Sequence, residues 1–277
     1  MKKILLVTAL FAFSVNAFSQ KNGLPSKKLK EVMTLEMALT SEDDMPGTRG
    51  ASVVWHPVQK KYYAAMAGNL GYPLCVFDAK GQRLSEDDHT TQMDVRGLWY
   101  NPAKKVIQGN AYGDNGWFSY KLDSKGMLLN TTTDKEGQNQ PDGQSVGAFV
   151  PLTQKVLFVY GSQVYVYNGK TAEEEKTVVI HWGRKKADGV SDEEDETEPS
   201  ADHNTTTVVY TGIKGAELGF VNVTDRTIEL YDMSNGFLIR SMELPEEATV
   251  ESTFNFAYTN GMYWLFNMES RIWTAYK

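Results

Sequence analysis

The chain has one cysteine, Cys75, so no intrachain disulfide can hold it together. It has four histidines, His56, His89, His181 and His203, and their scatter shows no metal-ligand spacing. It lacks GxSxG, HExxH, a phosphate-binding loop and paired-cysteine motifs, which excludes the commonest nucleophile and metal-hydrolase signatures. Positive charge is also short. The formal net charge is −7, and losing Lys2 and Lys3 with a leader would make it −9. A nucleic-acid partner is therefore not expected. No cofactor is implied.

Long apolar runs are missing too. Ile4–Phe13 is the one sustained run, too short to span a bilayer. With Lys2-Lys3 before it and Val15-Asn16-Ala17 and Ala17-Phe18-Ser19 after it, residues 1–19 read as a signal peptide. No lipobox cysteine follows. The expectation is an exported protein, periplasmic or extracellular, with no membrane span. Residues 20–28 form a basic, mobile lead-in.

What the chain does have is a repeat. Arg96–Asn130 reads as four short strands, Gly97–Tyr100, Lys105–Gln108, Trp117–Leu122 and Met127–Asn130. Asn101-Pro102, Gly109–Gly116 and Asp123-Ser124-Lys125-Gly126 separate them, and each break is rich in turn residues. The same grammar appears upstream: Arg49-Gly50, Trp55-His56-Pro57, Lys60-Lys61 and Asp78-Ala79-Lys80-Gly81. It returns more loosely at Gly147, Pro151, Lys155 and Tyr167-Asn168-Gly169-Lys170. Pro57, Pro102 and Pro151 are spaced by 45 and 49 residues, the period of a four-stranded propeller blade.

Blades are expected at about 49–88, 94–133, 144–182 and 205–245. A last blade has only three strands, Thr253–Tyr258, Met262–Asn267 and Ile272–Tyr276. An unpaired sheet edge is a liability, and Leu29–Leu39 is the spare segment. It is predicted to close the ring as the outer strand of that blade. The fold class is thus all-β: a single propeller domain over 29–277 with five four-stranded blades. Residues 184–204 form an insertion. Asp188–Asn204 holds eight acidic residues and little that is apolar, the composition of a solvated loop.

In an antiparallel meander, alternate turns fall at opposite ends of the sheet. One end carries short turns. The other carries the long, varied loops, where binding residues are expected. Candidates there are Arg49, Tyr72, Asp94, Arg96, Tyr112, Asp114 and Trp117. The two arginines are suited to a carboxylate or phosphate, and the aromatics to sugar rings or partner side chains. Pairing of Arg49 and Arg96 with Asp44 and Asp94 is the structural alternative. Trp55 and Trp99 are expected in the core. A protein or glycan partner follows. The competing reading is a glycoside-active enzyme with channel-mouth carboxylates among Asp44, Asp94, Asp142 and Glu251.

The third-to-fourth strand hairpins VFDAKGQRL, YKLDSKGMLL and YDMSNGFLIRSMEL resemble the WD-repeat-like and YVTN-like β-propeller superfamily. The resemblance covers about residues 49–277, although the Gly-His and Trp-Asp dipeptides of true WD repeats are absent. It implies an interaction scaffold and names no partner.

Overall fold

The computed structural model describes residues 26–186 and 199–277. The signal-peptide reading and most of the acidic run lie outside the described residues. No helix among the described residues is long and apolar enough to cross a membrane.

Two strands open the described chain, β1 (Ser26–Lys28) and β2 (Glu31–Glu36). Five blades follow in order around a ring. Blade one holds β3 (Arg49–His56), β4 (Lys61–Ala67) and β5 (Leu74–Phe77). Blade two holds β6 (Val95–Asn101), β7 (Val106–Ala111), β8 (Trp117–Leu122) and β9 (Leu128–Lys135). Blade three holds β10 (Ala148–Val150), β11 (Lys155–Tyr160), β12 (Gln163–Asn168) and β13 (Glu174–Val179). Blade four holds β14 (Val209–Tyr210), β15 (Leu218–Asn222), β16 (Thr227–Tyr231) and β17 (Leu238–Glu243). Blade five holds β18 (Phe256–Thr259), β19 (Met262–Asn267) and β20 (Ile272–Tyr276). The protein is a five-bladed β-propeller.

The ring closes as the sequence predicts. β2 pairs antiparallel with β20 and completes blade five, with Leu35 opposite Trp273. Ser26–Lys28 departs from the mobile lead-in expected there. It forms β1, which pairs in parallel with β17 as a fifth strand of blade four, Ser26 opposite Ser241. One short N-terminal segment therefore bridges the last two blades. Blade one has three strands in its ladder. Its outer edge is satisfied instead by the loop that follows β5. Leu84 N–H donates to Val76 O at 2.7 Å, and Leu74 N–H donates to His89 O at 2.9 Å.

Local chemistry explains the turn repeat. Asp78 Oδ1 accepts the backbone N–H groups of Lys80 and Gln82, and Asp123 Oδ1 accepts those of Lys125 and Met127. Asn168 does the same for Lys170 and Thr171 in blade three. Each carboxylate or amide closes an Asx-type turn. The first-to-second turns share a different signature, a left-handed residue at Lys60, Lys105 and Gln154.

Between blades the core is aromatic. Trp264 and Trp273 are buried with Phe77 and Tyr62 between blades five and one. Trp99, Trp117, Phe158 and Tyr167 pack between blades two and three. Cys75 is buried, and its Sγ accepts Ala38 N–H at 3.2 Å. Burial pushes its thiol pKa up, which suits a packing role.

Candidate functional site

Each inner strand runs from the long-loop end of the channel to the short-turn end. At the long-loop end the structure brings Arg49, Asp94, Arg96 and Tyr112 together. Arg96 is buried. Its Nη1 and Nη2 both bond the Asp94 carboxylate, and its Nε donates to Gln144 Oε1 at 2.9 Å. Asp94 also accepts Gly68 N–H at 2.9 Å. The Arg96 guanidinium lies 4.7 Å from the Tyr112 ring centroid. The Arg96–Asp94 pairing of the structural alternative is thus present. Arg49 is exposed and makes no ion pair among the described residues, and its neighbour is the Phe254 ring at 5.5 Å. Asp43, rather than Asp44, is the acid that finds an arginine, Arg271.

Three other candidates sit apart from that cluster. Tyr72 packs against the blade-five and blade-one core. Asp114 lies in the exposed 3-10 turn Gly113–Asn115. Trp117 corrects the sequence expectation. It is 3% exposed, its ring set edge-on against Trp99 at 5.9 Å. It stands inside β8, where the blade interface takes it, so it is unavailable to a ligand.

Phe254 is a residue that sequence reasoning missed. It is 2% exposed and shares a cluster with Ala51, Val95, Leu98 and Val146 of the inner strands. Its φ is +49° and that of Asn255 is +57°. Left-handed backbone at a bulky residue is costly, and hydrogen bonds hold it there. Phe254 N–H donates to Thr206 Oγ1 at 2.7 Å, and Asn204 Nδ2 donates to Phe254 O at 2.7 Å. Gly50 N–H donates to Asn255 Oδ1 at 2.7 Å. Asn204 and its neighbour His203 are buried, unlike the solvated end expected of the acidic run. With both arginines over its ring, Phe254 stoppers the channel at this end.

The opposite end is open. A cavity of about 460 Å³ enters from the short-turn face and runs up among all five inner strands. Each inner strand contributes an aromatic at or just before its last residue: Trp55, Tyr100, Phe149, Tyr210 and Tyr258. They occupy matching places in their ladders, opposite Tyr62, Ile107, Val156, Leu218 and Tyr263. Pro57, Pro102 and Pro151 follow two residues later in the first three blades and form part of the wall. Trp55, expected in the core, is half-buried here.

No charged side chain lines this cavity. Burial raises the pKa of Tyr210 and Tyr258, so their hydroxyls stay protonated at neutral pH. His56 packs on Tyr100 at 4.7 Å, and burial lowers its pKa. Its Nδ1 accepts Gln59 N–H at 3.1 Å, which requires an unprotonated nitrogen. Deeper in, Thr207 is 1% exposed, lines the cavity, and its Oγ1 has no hydrogen-bond partner. The result is a blind, neutral, aromatic-walled chamber with an unpaired Thr207 hydroxyl buried in its wall. Among the described residues no grouping of His, Cys, Asp and Glu is placed to hold a metal.

No protein-family model matches the chain, and no curated protein matches it. Solved structures do. The crystal structure of glutaminyl cyclase from Myxococcus xanthus aligns with a TM-score of 0.54 at 8% identity, covering 91% of this chain and 97% of that one. A chain of the nidogen/laminin complex aligns with a TM-score of 0.44 at 11% identity, covering 76% and 67%. At 8% identity the likeness to the glutaminyl cyclase is one of fold.

Proposed function

We propose that this propeller is an exported binding module, and that its blind channel receives a ring-shaped, uncharged group with a polar tip. One observation carries the reading: five inner strands converge five aromatic side chains on a single neutral chamber with an unpaired Thr207 hydroxyl. A buried hydroxyl without a partner is costly, and a ligand atom that meets it removes that cost. The size fits. Ligand sites typically span about 300–1,000 Å³, and an enclosed apolar cavity of about 150 Å³ already holds a benzene. The present chamber has room for one or two rings, such as an aromatic side chain or a single sugar presented by a protein or glycan.

The test is calorimetry with p-cresol and toluene. Both are expected to bind. p-Cresol should bind roughly 5-fold tighter, the worth of a hydrogen bond of about 1 kcal/mol. Thr207→Val, similar in shape, should abolish that margin and leave toluene unchanged. Absence of binding by either compound would overturn the reading.

A second reading keeps capture of a protein or glycan on the long-loop face. Its support is Arg49, which is exposed and, beyond its place over the Phe254 ring, makes no ion pair among the described residues. Arg49→Ala and Tyr112→Ala should then weaken capture without lowering stability. The glycoside-active alternative has less to draw on. Asp94 is bound to Arg96, and Asp142 Oδ1 accepts Gln144 N–H at 2.8 Å.

A further inference from the structure

The rim of the open chamber has a chemistry of its own. The first-to-second turns surround the mouth at residues 57–61, 102–105, 151–155, 211–217 and 260–261. Together they carry six lysines and one acidic residue, Glu217, whose carboxylate is taken up by the N–H groups of Gly215 and Met233, in a chain whose net charge is −7. Two of the six are engaged: Lys61 Nζ donates to Lys125 O, and Lys155 pairs with Glu175. Lys60, Lys104, Lys105 and Lys214 are exposed, and their ammonium groups have no partner among the described residues. Of the acids in the third-to-fourth turns, Asp78, Asp123 and Asp232 are turned onto their own backbone, while Glu173 of blade three is exposed. Asp78 is held below the usual carboxylate range by those N–H groups.

The same rim holds exposed apolar tips. Leu152 is 91% exposed and Val58 is 67% exposed. Both stand directly after wall prolines. A small ligand inside the chamber would leave them in water. A polypeptide lying across the mouth would cover them.

We infer that the partner is an acidic peptide segment that seats one aromatic side chain in the chamber and lays its flanking carboxylates against Lys60, Lys104, Lys105 and Lys214. This rests on the chamber reading above and adds the class of partner. Buried aromatic anchors supply most of the energy in such interfaces. Rim charges act chiefly on association rate, partner choice and salt sensitivity. An isolated cationic ligand does not fit, because the mouth would repel it.

The experiment uses the chain freed of residues 1–19 and three fluorescent heptapeptides: one Trp flanked by Glu, the same Trp flanked by Lys, and the Glu peptide with Ala for Trp. Vesicles of phosphatidylserine and phosphatidylcholine run alongside. The Glu–Trp peptide is expected to bind. Its affinity should fall at least 10-fold between 50 and 500 mM salt, by screening of exposed charges. The combined Lys60→Gln, Lys104→Gln, Lys105→Gln and Lys214→Gln variant should lose at least 10-fold at 50 mM salt, with p-cresol binding unchanged, which shows that the chamber is intact. The Lys–Trp peptide and the Ala peptide should bind at least 10-fold more weakly. Equal binding of the Glu and Lys peptides, or no peptide binding while p-cresol still binds, overturns the acidic partner and leaves the chamber standing. Vesicle binding without peptide binding overturns it in favour of an anionic membrane. Loss of p-cresol binding in the unaltered protein overturns both.

Discussion

Asp43 and Arg271 form a buried, two-pronged ion pair across 228 residues of sequence: Nη1 to Oδ1 at 3.0 Å and Nη2 to Oδ2 at 2.8 Å. The pair clamps the link after β2 onto the β19–β20 turn, and Arg271 also donates to Ala38 O at 2.8 Å. Removing one member of such a pair strands the other charge in a dry site. Asp43→Ala or Arg271→Ala should each lower stability by about 3–5 kcal/mol in urea titrations. Because the two residues act as one unit, the double variant should cost much less than the sum.

Truncation of the first two strands tests closure. A chain beginning at Thr40 leaves the edges of β17 and β20 without their partners. Open edges invite pairing between copies. Such a chain should elute as oligomers in gel filtration, and its urea transition should broaden.

Gly236 is a turn position with no room for a side chain. Its φ is +70°, and an added Cβ would fall 1.7 Å from Val179 O. Gly137 has a similar φ of +82° and open space around it. Gly236→Ala should therefore cost about 3 kcal/mol, combining overpacking with left-handed strain. Gly137→Ala should cost only about 1 kcal/mol. Thermal melts of the two variants measure the difference.

Stability should decline with acid in two stages. Burial lowers the pKa of both His56 and His89 from the ordinary 6.5. The folded state thus binds fewer protons, so their contribution is complete above about pH 6.5 and shrinks as pH falls through the lowered folded values. Glu229 acts lower down. Burial raises its pKa, but hydrogen bonds from His203 at 2.9 Å and Tyr231 at 2.5 Å outweigh this, and the net shift is downward. That stability is present above its ordinary value of 4.5 and is lost as pH falls through the lowered folded value. Urea midpoints followed from pH 8 to pH 3 should show both stages, and His56→Gln should shrink the first.

The repeat was legible because each blade needs the same local chemistry at the same place. Asp78 and Asp123 mark matching turns whatever surrounds them, and Leu29–Leu39 was the one segment left for the open edge. β1 was not legible. Ser26-Lys27-Lys28 has no alternating pattern, and its pairing in parallel with β17 depends on a neighbour more than 200 residues away. The open end was missed for a different reason. Trp55-His56-Pro57, Tyr100-Asn101-Pro102 and Phe149-Val150-Pro151 were visible, yet aromatics in strands are buried by default. Only the assembled ring shows that they face one space. Phe254 gives no signal at all, since its place depends on Asn204 and Gly50 holding its backbone. Trp117 stands first in β8, directly after the Gly109–Gly116 break, and a strand's first residue carries no sequence sign of whether it faces the loop or the blade interface.

The stitching of the last two blades by β1 and β2 also sets an order of events. Residues 26–36 are synthesised well before β17 and β20, which follow some 200 residues later. Through most of synthesis the leading segment has nothing to pair with. Blades one to three can assemble while it waits, and the circle is fastened only when the final strand arrives. A chain halted shortly before Ile272 could seat β1 on β17 but would leave β2 without the strand it pairs with.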